Sequence, residues 1–172
     1  MSAHYGYYSK IDGNSAFLSG NVSAFADAYL CDILPKYWAL EADVFEADIS
    51  NLCDNIRKRL YDYLSDDGDV VRKIDALDFD LRSLSGELPQ IIHELFDRYK
   101  EKHVQDEVDK INQFVSDIKY QLGDIKGIYS IRDTLNESIT SALCEFYTYI
   151  VFEVIFIKYD GYFVMLVFGS DE

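Results

Sequence analysis

The most regular patterning in the chain lies in Phe146 to Phe168, which reads FYTYIVFEVIFIKYDGYFVMLVF. Two runs rich in β-branched and aromatic residues flank Asp160-Gly161, a dipeptide suited to the positive φ angles of a type I′ turn, so the spacing predicts a β-hairpin. Both faces of its first strand are apolar. Ile150, Phe152, Val154 and Phe156 fall on one face, and Tyr149, Val151, Ile155 and Ile157 on the other. A lone hairpin is marginal in water, so other elements must cover this one on both sides.

Near the N-terminus, Tyr5, Tyr7, Tyr8, Ile11, Phe17 and Leu18 surround Asp12-Gly13-Asn14. Aromatic residues around a turn dipeptide predict short strands between Ala3 and Ser19, able to pair with the C-terminal hairpin; an ordered arm across a helix is the alternative. Helical spacing begins after Asn21 or Ser23, carries Phe25, Tyr29, Leu30 and Ile33, and is interrupted at Pro35. From Lys36, Tyr37, Leu40, Val44, Phe45, Ile49, Leu52, Cys53, Ile56, Leu60 and Leu64 predict one long amphipathic helix, ended by Ser65-Asp66-Asp67-Gly68-Asp69.

Val70, Val71, Ile74 and Leu77 continue at helical spacing, and Glu87-Leu88-Pro89 opens a further helix with proline in its first turn. Its apolar stripe, Leu88, Ile92, Leu95 and Tyr99, changes phase before Val104, Val108, Ile111, Val115, Ile118 and Leu122. Either the helix twists its seam or it breaks near Lys100 to His103. Heptad-like spacing on both sides suggests antiparallel packing against the Lys36 to Leu64 helix. Gly123 and Gly127 bracket a connector, and Ile131, Leu135, Ile139, Ala142, Leu143 and Phe146 suggest a last helix whose passage into strand falls between Leu143 and Tyr149.

The expected fold is therefore α+β, a single domain over residues 1–172. An antiparallel helical bundle, about 22–143, carries a small antiparallel sheet formed by the C-terminal hairpin (146–168), with the N-terminal segment (3–19) as a candidate addition. A hydrophobic content of 49% with 15% aromatics suffices for a core.

Charge changes the functional picture more than it changes the fold. The net charge of −15 disfavours direct binding of nucleic acid or of an anionic membrane surface. The apolar run from Tyr147 to Ile157 carries Glu153 and is too short to span a membrane. MSAHYGYYSK lacks the basic start and apolar run of a signal peptide, and Cys31, Cys53 and Cys144 are scattered without a CxxC pair. The expectation is a cytoplasmic protein of a bacterial or host cytosol, with buried reduced thiols.

Signs of catalysis are sparse. Arg98-Tyr-Lys-Glu-Lys-His103 resembles the Arg-x4-His pattern of the HEPN ribonucleases, an all-helical family in which Arg and His build a nucleolytic site; that resemblance implies Arg98 and His103 as an RNA-cleaving pair. Tyr99 stands where the motif usually has a polar residue, and the β-rich C-terminal end departs from the fold. His93, between Ile92 and Glu94 on a helix, reads as a boundary or satisfied core histidine, and His4 offers less. Neither GxSxG nor a phosphate-binding GxxxxGK[ST] occurs. Aligning Gly68 with the sixth position of a calcium loop puts Tyr63 and Ile74 at ligand positions, so that loop fails; Asp75, Asp78 and Asp80 would meet a divalent ion only if the chain bends there. No cofactor and no metal ligand set is predicted.

Acidity is unevenly distributed. Residues 41–84 hold 12 Asp and Glu against 6 Lys and Arg, and residues 128–172 hold 7 against 2. Carboxylates on a rigid element can imitate phosphate spacing and dock onto a basic channel. The candidate protein-binding residues are Glu41, Asp48, Asp62, Asp66, Asp67, Asp69, Asp75 and Asp78. The expected function is a non-enzymatic acidic inhibitor that binds a basic protein partner, a nuclease or other nucleic-acid enzyme, by mimicking nucleic acid. In size and composition the chain resembles anti-CRISPR and anti-restriction proteins. An immunity protein against a bacterial toxin is one alternative, and a HEPN-like or metal-dependent enzyme another.

Overall fold

A computed structural model describes residues 10–26, 38–64, 68–100, 105–131 and 151–170. The described elements, in chain order, are α1 (Lys10–Phe25), β1 (Trp38–Phe45), α2 (Leu52–Leu64), α3 (Gly68–Asp75), β2 (Leu81–Ser83), α4 (Leu88–Tyr99), α5 (Glu107–Leu122), β3 (Gly127–Ile131), β4 (Val151–Tyr159) and β5 (Tyr162–Ser170). The five strands form one antiparallel sheet in the order β1-β5-β4-β3-β2. The class is α+β, as the patterning predicts.

The C-terminal hairpin is the middle of this sheet. Tyr159 pairs with Tyr162 across Asp160-Gly161. Of the two turn residues only Gly161 takes a positive φ, 78°, which is the sign pattern of a type II turn rather than the expected type I′. Every residue of β5 is buried. Helices cover both faces, which is how a strand apolar on both sides stays out of water. On one face Ile155, Ile157, Val164, Leu166 and Phe168 pack with Leu18, Val22 and Phe25 of α1, Ile92, Leu95 and Phe96 of α4, and Ile111, Phe114 and Ile118 of α5. Phe25 stacks on Phe114 with ring centres 4.4 Å apart, and Phe96 meets Phe168 edge-on at 5.4 Å. On the opposite face Val154, Phe156, Phe163, Met165 and Val167 pack with Leu52, Ile56 and Leu60 of α2 and Val70 and Ile74 of α3.

This arrangement corrects the expected bundle. The helices do not form one body carrying a peripheral sheet; the sheet separates them into two layers. The predicted Lys36 to Leu64 helix is a strand followed by a helix. Its first half is β1, where Leu40, Ala42 and Val44 face α1, α4 and α5 while Phe45 faces the other layer. The register confirms the alternation, since Glu41 pairs with Val167 and Asp43 with Met165. Leu40 and Val44, four apart, share a face in a strand as well as in a helix, so that spacing satisfied both readings. For the same reason the expected packing of Leu88–Leu122 against this helix is absent: α2 lies across the sheet from α4 and α5.

Lys10 to Ser19 is helix rather than strand. Buried Asn14, Leu18, Val22 and Phe25 fall at spacings of four, four and three, and α1 packs on β1 and α5. Burial of that stripe outweighs the two glycines within it, each costing about 1 kcal/mol relative to alanine in a helix. The phase change after Tyr99 is a true break. Lys100 is extended and Asp106, just before α5, is left-handed with φ 67°. The predicted strands before Lys10, the Pro35 interruption, Cys31, Cys144, His4, His103 and the last helix beyond Ile131 lie outside the described residues. Among the described residues no helix is long and apolar enough to cross a membrane.

Candidate functional site

Two groups of polar side chains stand on opposite sides of the sheet. The first surrounds α2 and α3. Glu41 projects from β1 on this side, Asp48 lies in the turn before α2, Asp62 is on the outer stripe of α2, Asp69 opens α3, Asp75 closes it and Asp78 follows; all six are exposed. Asp66 and Asp67, between α2 and α3, lie outside the described residues. The six described candidates share a side; Glu41, Asp48 and Asp62, expected along the one Lys36 to Leu64 helix, come instead from a strand, a turn and α2.

The basic residues of this layer are largely occupied. Arg57 donates through Nε to the Leu77 carbonyl at 2.9 Å and pairs with Asp54 at 2.6 Å. Arg59 reaches Asp43 at 3.2 Å, and Arg72 pairs with Asp69 one turn away. Burial pushes the Asp43 carboxyl up, against the opposing pull of Arg59 and of the Val44 amide that donates to it. The Tyr61 hydroxyl donates to Asp75, which joins α2 to α3, and that hydrogen bond raises the phenol. Glu41, Asp48 and Asp62 have no ion-pair partner among the described residues. Cys53, half-buried, donates weakly to the Leu77 carbonyl and is pushed up chiefly by burial, so it is not an activated thiol.

The second group lies where α4 ends and α5 begins. His93 and Asp97 are four apart on α4 and share its face, with His93 Nδ1 3.4 Å from Asp97 Oδ2. His93 Nε2 is 3.4 Å from Oε1 of Glu107, whose side chain is only 5% exposed. Lys100 Nζ lies 3.3 Å from both Glu107 oxygens and also pairs with Asp97. The Asp97 carboxylate, with Glu107 adding to it, holds the Lys100 ammonium above the usual lysine range despite burial. His93 also borders a groove of about 420 Å³ lined by Glu87, Pro89, Gln90, Val108, Ile111 and Asn112.

Next to this group, Tyr99 donates to Glu153 Oε1 at 2.7 Å and Arg98 Nη1 lies 3.0 Å from the same oxygen. Burial, then the hydrogen bond to Glu153, pushes the Tyr99 phenol up to about 12. Glu153 is thus half-buried and held from α4, and β4 is an inner strand between β3 and β5. Arg98, the arginine of the Arg-x4-His pattern, is engaged with a strand residue in a fold built on a five-stranded sheet, not the all-helical fold that the resemblance implies.

No protein-family model matches the chain, and no curated protein matches it. Among solved structures, the crystal structure of citrus MAF1 is similar at 12% identity over 96% of this chain and 99% of that chain, with a TM-score of 0.39. A likeness that loose carries no argument.

The cluster around Glu107 was only half visible in the sequence. His93-x3-Asp97 is legible as a pair on one helical face. Glu107 joins it through the path of the chain between α4 and α5, which no local pattern encodes.

Proposed function

We propose that the protein acts by binding rather than by catalysis, and that its α2–α3 side is a carboxylate surface for a basic protein partner. The partner class is a nuclease or other nucleic-acid-handling enzyme, blocked when carboxylates occupy the place of phosphates. One observation supports this most: Glu41, Asp48, Asp62, Asp69, Asp75 and Asp78, drawn from a strand, a turn and two helices, are exposed on the same side of the sheet. The arginines of that layer turn inward to carbonyls or onto Asp43, Asp54 and Asp69, which leaves Glu41, Asp48 and Asp62 as outward charge. Attraction of this kind steers encounter and falls with ionic strength.

The test is affinity capture from lysate at low and high salt, with wild type and a Glu41→Lys, Asp62→Lys, Asp75→Lys triple variant as bait. Wild type should retain a basic nucleic-acid enzyme in a salt-sensitive manner and inhibit it when added back, and the triple variant should do neither. Absence of any salt-sensitive partner, or equal retention by the folded triple variant, overturns the reading.

A further inference from the structure

On the side of the sheet away from that surface, the junction of α4 and α5 gathers donors of a different kind. With one nitrogen from His93 and one oxygen each from Asp97 and Glu107, three donor atoms lie within 4.8 Å of one another. We propose that His93, Asp97 and Glu107 form a binding site for a divalent ion of the zinc class, Zn2+ or Co2+, with Lys100 as its built-in competitor.

The geometry is close to what such an ion needs. Tetrahedral zinc with bonds of about 2.0–2.1 Å holds its donors roughly 3.3 Å apart. Two donor separations here, His93 to Asp97 and His93 to Glu107, are both 3.4 Å, though through different ring nitrogens. Side-chain rotation of His93, with shifts on the order of 1 Å in the carboxylates, brings one nitrogen to both. An imidazole with two carboxylates suits zinc-class ions better than Mg2+ or Ca2+, which prefer oxygen alone. Three protein donors leave a fourth position for water or another ligand.

Charge carries the second half of the argument. Glu107 is almost wholly buried, and a buried carboxylate persists only beside a compensating cation. The Lys100 ammonium supplies one, held between Asp97 and both oxygens of Glu107 in a side chain only 8% exposed. The two carboxylates are thus already arranged around a position for positive charge. A divalent ion held by His93 balances both carboxylates from that one position, and then Lys100 must withdraw. The groove that His93 borders gives an approach for the ion. The site shares no residue with the carboxylates of α2 and α3, so it stands or falls independently of the proposed binding function.

The experiment is a Zn2+ titration of the full chain in competition with a chromophoric chelator, repeated with Co2+ to read its visible absorption. Wild type should bind one ion, with the intense bands of four-coordinate Co2+. Lys100→Met should tighten binding at least tenfold by removing the competitor. His93→Ala should weaken it at least tenfold. Asp97→Asn, at a half-exposed position that folding tolerates, should also weaken it. Far-UV circular dichroism of each metal-free variant establishes that it is folded. The proposal is overturned if neither wild type nor Lys100→Met binds Zn2+, if His93→Ala and Asp97→Asn bind it as wild type does, or if Mg2+ competes equally.

Discussion

The two faces of the sheet use charge in opposite ways. On the α2–α3 side, apart from Arg59–Asp43 between α2 and β1, the ion pairs are short-range and wet. Arg57–Asp54 and Arg72–Asp69 each span three residues of one helix, and both members of the second pair are more than three-quarters exposed. On the α4–α5 side, contacts cross between elements: Lys100 and His93 reach the buried Glu107, and Tyr99 and Arg98 reach the half-buried Glu153. Exposed pairs contribute about 0–1 kcal/mol, whereas removing one partner of a buried pair costs about 3–5 kcal/mol. One face can therefore lend its carboxylates to a partner at little cost to folding. The other holds two helices and a strand together with them.

That contrast is open to direct attack, and the largest effect should come from Glu107. Glu107→Ala leaves Lys100 and His93 with Asp97 but without their buried carboxylate, and should cost up to about 3 kcal/mol in urea denaturation; a loss below about 1 kcal/mol would erase the distinction between the faces. Tyr159→Phe should act in the opposite direction. The Tyr159 ring stacks on Tyr162 and its buried hydroxyl has no hydrogen-bond partner among the described residues, while the Tyr162 hydroxyl donates to the Leu122 carbonyl at 2.8 Å. Removing the orphaned group should raise stability by about 1 kcal/mol, whereas Tyr162→Phe should lower it. Gly20→Ala should gain up to about 1 kcal/mol, since Gly20 lies within α1 with open space around a new Cβ.

On the opposite face the effects should be smaller. Burial raises the Asp43 carboxyl above its unfolded value of 3.8, so the native state holds that proton more tightly. Its contribution therefore declines as pH rises from 3.8 through the folded pKa, and its charged form is a net burden above. Asp43→Asn keeps the oxygen that accepts from Val44, so it should raise the melting temperature at neutral pH and leave it unchanged near pH 3. Asp69→Ala should change stability by less than about 0.5 kcal/mol, the smallest effect of the set.

What the sequence disclosed follows the same division between local and non-local causes. The hairpin was legible because both its strands and its turn lie within one continuous stretch, and its double-sided apolarity correctly demanded cover on both faces. The helix beginning at Leu88 was legible from Pro89 and from the spacing of Ile92 and Leu95. β1 was misread because Leu40 and Val44 fit two periods at once, while the Glu41 and Asp43 between them carried the alternation. α1 was misread because its glycines and aromatics mimic a turn, and only tertiary burial of Leu18 and Val22 decides otherwise. β2 and β3 are too short to announce themselves. Which layer the acidic residues belong to depends on the sheet register, which no local pattern encodes.

Among the described residues, β1 hydrogen-bonds only to β5, with Trp38 opposite Ser170. A partner on the order of a hundred residues downstream means that β1 waits while most of the chain is made. During that wait its alternating edge and the apolar sides of α1 and α2 have nothing permanent to rest on. Such a contact pattern implies slow, late closure and a nascent chain with good reason to meet a chaperone. In refolding, the rate should respond to substitutions in Leu166 or Val167 far more than to any change in the acidic layer.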